Sequence, residues 1–477
     1  MKRRILSASL AVLMLLSLAG GAYASGDDIS GASYAQCYIA VNGTEIQETA
    51  LERDGLFYLP VRAVCGGLGY DISWSQEKNA VILTSGGSTG NVVLNLNDQT
   101  VTENGHTFSM LTGSYDAGYL VQNSRTYLSE ELFSELFGVG YQFDSTQNTI
   151  FLRVLAENSI VISTMKLSSE DENLKVTVQY PQISGLDDND VQSGINAILR
   201  QAAVGAVSEG AQNAYDVMTT RMEYSNYTAK AETFFDYRVK YNQNGLLSLV
   251  LLDYQYAGGA HGGTVQKGIT FDLSTGKELG FSDLMNGDFS YVSYFDKNIR
   301  SEIDKRTAAG ELNEISEFTT IGEKPDFYLA NDSLVIFFQQ YEYFPYAAGI
   351  QEFSFSYATL SEMFNSAFGF LFGKTAQLSE TGTNALSVGD TAGVTLKGNP
   401  TTGYAWYYSF STDGVLTETK NSYTPDSALT GAGGTYVWNF KAVQPGKTTI
   451  TFKYYRSWEG ETSATAENTV TYNVTVS

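Results

Sequence analysis

From about residue 378 to its end, the chain is a succession of short runs in which apolar and polar side chains alternate, with turn residues between them. In KTTITFKYY, Ile450, Phe452 and Tyr454 fall on one side and Thr449, Thr451 and Lys453 on the other. In NTVTYNVTV, Val470, Tyr472, Val474 and Val476 alternate with polar residues. A period of two is the repeat of a pleated strand with one face in a core and one in water, and a helix cannot bury it. Roughly 100 residues of this pattern predict an immunoglobulin-like β-sandwich over 378–477, a fold that gathers its loops at two ends.

Three loops of this segment have a composition that turning alone does not require. They are GNPTTGYAW (Gly398–Trp406), LTGAGGTYVW (Leu429–Trp438) and YYRSWEG (Tyr454–Gly460). Singly, each has a plain reading: Asn-Pro with a following glycine is good turn chemistry, GAGG is common turn material, and Trp406 and Trp438 are expected in the core. Together, in this order and spacing, the segment from about 380 to 477 resembles the chagasin family of immunoglobulin-like inhibitors of papain-type cysteine peptidases. The resemblance implies no catalysis. It implies a central wedge of Asn399, Pro400, Thr401, Thr402 and Gly403 that enters a peptidase cleft. Gly431, Ala432, Gly433 and Gly434 would form a second loop, and Arg456 and Trp458 a third, gripping its flanks. One position departs from the family: Ser457 stands where it usually has proline, which implies a less rigidly presented Trp458.

At 477 residues the chain exceeds what one core supports, and the rest divides into two further segments. The first, 33–153, contains an echo: FYLPVRAVCGGLGYDISWSQEKNAVIL from Phe57 returns as TYLSEELFSELFGVGYQFDSTQNTIFL from Thr126. Each copy reads as a strand, a helix presenting residues such as Leu132, Phe133 and Leu136, a glycine stop and two short strands, so two α/β units are expected to pack together. VNGTEI, LPVRAVCGGLGYDISW and NAVIL resemble the small N-terminal domain named after copper amine oxidases, common in exported proteins of Gram-positive bacteria. That resemblance implies an accessory, wall-associated module without a copper site.

The second segment, 156–370, opens with the alternating LKVTVQYPQI and continues with a helix whose Val191, Ile195, Ile198, Leu199 and Ala202 share a face. Further strands follow, and a second helix carries Val292, Phe295, Ile299 and Ile303, which makes an α+β domain. YAGGAHGG, FDLSTGKEL, FYLANDSLVIFF and FPYAAGIQEF resemble an extracellular domain pair found in the lysozyme-sensing anti-sigma factor of bacilli and beside some peptidoglycan deacetylases. This implies binding at the cell envelope, to peptidoglycan or lysozyme. The fold expected for the whole chain is therefore multidomain: two small α+β domains followed by a C-terminal immunoglobulin-like sandwich.

Other features bound the function. Lys2, Arg3 and Arg4 precede an apolar run from Ile5 to Leu18 and the small-residue site Ala22-Tyr23-Ala24, the pattern of a cleaved secretory signal over 1–24. A released or wall-associated extracellular protein is expected. No later apolar run is long enough to span a bilayer. Removing the signal moves the formal charge from −23 to −26, which argues against nucleic acid as a partner. Cys37 and Cys65 are the only cysteines, and an exported protein is able to join them as a disulfide. With His106 and His261 in different segments no zinc-type spacing exists, and no cofactor is expected.

Two residues invite a catalytic reading. Ser88 in GGSTG matches a hydrolase nucleophile pattern, yet strand-like runs flank it where a helix should follow, so a hairpin loop is expected. His261 in AHGG evokes an oxyanion-hole loop, but a histidine between glycine pairs equally hydrogen-bonds its own turn. The aromatic run Tyr341, Tyr343, Phe344 and Tyr346 has two readings, stacking on sugar rings or packing within a strand.

Overall fold

The computed structural model describes residues 34–476, except 43, 54–55, 86–90, 113–115, 145–147, 156, 225, 288–290, 361–362, 366, 369–370, 372–374, 387–389, 426–430 and 432. The expected signal at 1–24, Ser88 and Ala432 lie outside the described residues. The chain forms two compact units, one including Glu45–Asn365 and the other Ser366–Ser477.

The first unit begins with β1 (Ala35–Val41), β2 (Thr44–Arg53), β3 (Leu56–Pro60), α1 (Val61–Gly67), β4 (Tyr70–Ser75) and β5 (Ala80–Ser85). Next come β6 (Val92–Asn95), β7 (Thr100–Glu103), β8 (His106–Ser109) and a short pair, β9 (Leu111–Thr112) and β10 (Asp116–Ala117). The segment closes with β11 (Tyr119–Gln122), β12 (Arg125–Ser129), α2 (Glu130–Phe137), β13 (Val139–Asp144) and β14 (Thr149–Val154). The sequence echo is thus β3-α1-β4-β5 against β12-α2-β13-β14. β3 and β12 lie antiparallel, Leu59 opposite Leu128, inside a seven-stranded sheet ordered β11-β12-β3-β2-β1-β14-β13. The copies then part: β13 and β14 stay in that sheet, whereas β4 and β5 enter a separate five-stranded sheet with β6, β7 and β8. Leu59, Val64, Leu128, Leu132 and Phe133 are among the residues that fill the shared core. The second helix is set by its ends: Ser129 Oγ accepts the Leu132 N–H at 3.3 Å, and Gly138 stops it in a left-handed conformation, φ 56°.

The pairing allowed for Cys37 and Cys65 is not formed; both are free, buried thiols. They serve as small apolar groups in this core. Burial, with Glu52 nearby, pushes the Cys37 thiol up to about 11, and burial alone raises Cys65 further, so neither is a thiolate at neutral pH.

The second segment runs β15 (Val161–Glu170), β16 (Leu174–Ser184), α3 (Asn189–Glu223), β17 (Ala231–Gln243), β18 (Leu246–Tyr256) and β19 (Gly263–Asp272). It continues with α4 (Tyr291–Ala308), β20 (Phe327–Leu329), β21 (Ser333–Phe338) and β22 (Gln351–Ser356). Strands β15 to β19 form one sheet in chain order and β20 to β22 another. Helix α3 buries Ile195, Leu199, Ala203 and Ala206 against the larger sheet. Ile198, expected on that face, is 36% exposed, because at 3.6 residues per turn it projects to one side of the stripe that Ile195, Leu199, Ala203 and Ala206 bury. Helix α4 buries Phe295, Ile299 and Ile303.

The two segments keep separate apolar cores and meet across a polar seam. His106 Nε2 and Asp236 Oδ1 are hydrogen bonded at 2.6 Å, and the His106 ring stacks on Tyr237 with centroids 4.1 Å apart. Glu135 accepts from Arg238 Nε and from Lys240 Nζ, while Asn331 Nδ2 donates to Ser134 Oγ at 2.9 Å. Burial opposes ionisation of Glu135, but Arg238 and Lys240 outweigh it and hold the carboxyl below its usual range.

The second unit contains β23 (Thr375–Gln377), β24 (Thr383–Leu386), β25 (Thr391–Gly398), β26 (Tyr404–Phe410), β27 (Leu416–Pro425), β28 (Gly434–Ala442), β29 (Gly446–Arg456) and β30 (Thr469–Val476). Two four-stranded sheets, β23-β25-β28-β27 and β24-β30-β29-β26, enclose Val394, Trp438, Phe440, Ile450, Phe452 and Tyr472. This is the expected sandwich, and the alternation falls as read: Ile450, Phe452, Tyr472, Val474 and Val476 point inward. Among the described residues no helix is long and apolar enough to cross a membrane.

Candidate functional site

Strand register brings the three loops of the second unit to one end. Gly398 stands opposite Gly434 in the β25–β28 pair, and Pro425 opposite Gly434 in β27–β28, which places the second loop beside the first. Tyr404 stands opposite Arg456 in β26–β29, which places the third beside it on the other side. Beneath them lies an aromatic floor in which Tyr454 packs against Tyr404 at 5.2 Å and Trp406 at 4.9 Å.

Asn399 organises the first loop. Its Oδ1 accepts from the Thr401 N–H at 3.1 Å and from the Thr401 hydroxyl at 2.6 Å, capping a single 3₁₀ turn over Pro400–Thr402. Pro400 presets φ at the first position of that turn, and Gly403 leaves it at φ 82°, where a Cβ is unfavourable. The Asn399 N–H donates to Tyr454 Oη at 2.6 Å, fastening the loop to the floor. Its Nδ2 donates to Gly431 O at 2.9 Å, which ties the first loop to the second. Pro400, Thr401 and Thr402 are exposed at the tip.

The third loop is tied in as well. Arg456 Nε donates to Thr402 O at 3.2 Å, and its guanidinium lies 4.7 Å from the Tyr404 ring and 5.8 Å from that of Trp458. Arg456 Nη1 also reaches Glu459 at 3.2 Å, and the Glu459 N–H closes the turn on Arg456 O at 2.9 Å. The Trp458 indole rests on Gly403, where any Cβ would collide with the ring, yet it remains 69% exposed. An exposed tryptophan seated this way offers a large apolar face at little cost in rotamer freedom.

Residues 385–476 match the sequence profile described as the chagasin family peptidase inhibitor I42. Chagasin of Trypanosoma cruzi is 34% identical over 83 residues, 16% of this chain and 76% of the relative. This chain belongs to the chagasin family. The cysteine protease inhibitor EhICP2 of Entamoeba histolytica is 28% identical, covering 20% of this chain and 86% of its own, with a TM-score of 0.18. A structure of PbICP-C in complex with falcipain-2 is 26% identical, covering 22% and 94%, with a TM-score of 0.17. Outside the chagasin domain, residues 40–152 match the copper amine oxidase N-terminal domain and 167–264 the profile described as deacetylase PdaC. Residues 282–358 match a protein of unknown function, DUF3298. A member of that last family from Bacteroides fragilis is 16% identical over 44% of this chain and 96% of its own, with a TM-score of 0.38.

The chagasin domain assembles the described residues named from sequence, and adds Tyr454, whose hydroxyl receives the wedge. Its place in the alternation marked it only as a strand residue. Trp406, expected in the core, is half-buried, because its indole N–H reaches up to Lys397 O at 3.0 Å. With Ser457 in place of proline, Trp458 takes its position from the Gly403 seat and the Arg456–Glu459 turn.

In the first unit, His261 Nδ1 bonds to the Gly262 carbonyl at 2.8 Å, as its own-turn reading expects. Strands β5 and β6, on either side of Ser88, are antiparallel neighbours. The aromatic run is not a strand: β21 ends at Phe338, and the chain turns before a 3₁₀ segment at Tyr346–Ala348. Phe344 is buried and Tyr343 packs on Phe318 and Phe338, whereas Tyr341 and Tyr346 line a cleft with His261.

Proposed function

We propose that this is an exported protein whose chagasin domain reversibly inhibits papain-like cysteine peptidases. The wedge Asn399–Gly403 enters the active-site cleft, while the second loop and the Arg456–Trp458 loop hold the cleft's flanks. The observation that carries this reading is the cross-linking of the three loops through Asn399 to Gly431, Arg456 to Thr402, and Trp458 on Gly403. A tip held in one conformation before binding loses little entropy on docking. Thr401 and Thr402, small and exposed, fit a cleft shaped for extended backbone, and neither carries an electrophile, so occupation rather than covalent capture blocks the enzyme. Both ends of the wedge continue into strands of a closed sandwich, which opposes the extended geometry that cleavage requires.

The test is titration of the full chain against papain with a fluorogenic substrate, beside a Thr401→Trp, Trp458→Ala double variant. Inhibition by the parent, lost in a folded double variant, supports the wedge; a folded parent that leaves turnover intact removes it. Export by the 1–24 segment is tested by the N-terminal residue of the protein recovered from a culture supernatant, expected to follow Ala24.

A further inference from the structure

We propose that the cleft formed by His261, Tyr341 and Tyr346 binds a saccharide bearing a free amino group. The cleft has a volume of about 450 Å³, within the range of small-ligand sites, and lies in the first unit. One part of its lining is aromatic: the His261 and Tyr346 rings stack with centroids 4.0 Å apart, and Tyr341 lies 5.7 Å from Tyr346. Tyr341 Oη and His261 Nε2 are 3.2 Å apart. The remainder is polar and includes Glu209 and Asn213 of α3 and Asp253 and Gln255 of β18. A pyranose ring has the same division, with C–H groups on its faces and hydroxyls at its rim.

The backbone at Tyr341 supports a ligand-binding role. Its φ is 65°, a left-handed conformation that strains an aromatic residue, and its side chain is 56% exposed. Core packing therefore does not repay the strain. Asparagine or glycine would fill that backbone position without it, but would remove the ring from the cleft. The loop is fixed by the Tyr341 N–H on Phe344 O at 3.1 Å and the Gln339 N–H on Glu342 Oε2 at 2.9 Å. On the facing turn, Gly262 is required because a Cβ there would strike the Tyr254 ring, so His261 is set by close backbone packing.

The polar part is also built before any ligand arrives. Gln255 accepts from Thr233 at 2.9 Å and from Asn213 at 3.2 Å, and donates to Ala206 O and to Asp253 Oδ1 at 2.7 Å. Asp253 is half-buried with Glu209 as a like-charged neighbour, and among the described residues neither carboxylate has a basic ion-pair partner. Two carboxylates without a basic partner, Asp253 held by the Gln255 amide and Glu209 exposed, reject anions and favour a cation. They do not gather with His261 as a metal-holding group. An ammonium on a sugar satisfies both the carboxylates and the aromatic rings, through ion pairing and cation–π contact.

Isothermal titration of the full chain at mildly acidic pH, with a β-1,4-linked glucosamine tetramer, its fully N-acetylated counterpart and spermine, tests this. The free-amine tetramer is expected to bind at least tenfold more tightly than the other two. Tyr341→Asn is expected to weaken that binding at least tenfold while melting no lower than the parent, since asparagine accepts the left-handed backbone. Asp253→Asn is expected to abolish the preference for the free amine. Absence of binding, equal binding of the acetylated sugar or of spermine, or undiminished binding by Tyr341→Asn would each overturn the proposal. So would a Tyr341→Asn variant that melts well below the parent, which would make the tyrosine a structural residue.

Discussion

The Trp458 indole uses the missing side chain of Gly403 as its seat. The tip of the third loop and the last residue of the wedge therefore take their positions from each other. Because Gly403 also sits at φ 82°, the substitution Gly403→Ala adds backbone strain of about 1–2 kcal/mol and drives the ring off its seat. The expected result is at least tenfold weaker inhibition of papain, with a red-shifted tryptophan emission and little change in secondary structure. Unchanged inhibition would show that the seat is not used in binding.

Asn399 makes contacts that two substitutions separate. Asn399→Asp keeps the acceptor for Thr401 but removes the donor to Gly431 O, placing a carboxylate against that carbonyl. Asn399→Ala removes both. With each hydrogen bond contributing about 1 kcal/mol, inhibition constants are expected to rise roughly fivefold to tenfold for aspartate and about 150-fold for alanine, which loses the bonds to the Thr401 N–H, the Thr401 hydroxyl and Gly431 O. Reversal of that order would remove Asn399 as the organiser of the loops.

Glu135 sits in the seam, accepting from Arg238 and Lys240, and all three side chains are nearly buried. Glu135→Ala leaves Arg238 without its carboxylate partner and Lys240 with Glu131 alone, at an expected cost of about 3–5 kcal/mol in denaturant unfolding. Hydrogen exchange is expected to rise in both α+β segments of the first unit together, since each contributes residues to the seam. A rise confined to 33–153 would mean that the segments unfold independently.

Glu130 accepts the Phe57 N–H at 2.8 Å, and burial pushes its carboxyl from the ordinary 4.5 up to about 7, although the hydrogen bonds oppose the shift. The folded state therefore holds a proton that the unfolded state releases. Its contribution to stability is full below about pH 4.5 and is lost as pH rises towards 7. Glu130→Gln keeps an acceptor and removes the charge. The wild type should lose about 3 kcal/mol at most relative to this variant across that window, read from unfolding curves at several pH values. A constant difference would contradict the assignment.

Much of the architecture is legible in the chain because local chemistry determines it. The period-two runs gave the sandwich strands with the correct inward face at Phe452 and Tyr472, and the echo gave both strand-helix units with a glycine stop, Gly138, after one helix. Register was not legible. That Gly398 faces Gly434, and Tyr404 faces Arg456, depends on pairings across the sandwich, so loop composition hinted at one shared end without fixing its hydrogen bonds. The His106–Asp236 contact spans 130 positions and has no spacing signal at all. Tyr341 is legible as an aromatic residue, but its strained backbone belongs to a turn that neither reading of the run specifies.

The seam also constrains inheritance. A recombination event that exchanged residues 33–153 for another domain of the same fold would deprive Asp236, Arg238 and Lys240 of His106 and Glu135 at once. Three polar groups would be stranded out of water, each at a cost that a marginally stable fold cannot absorb. The two α+β segments are therefore expected to travel through descent as a single cassette, changing on the two sides of the seam in concert.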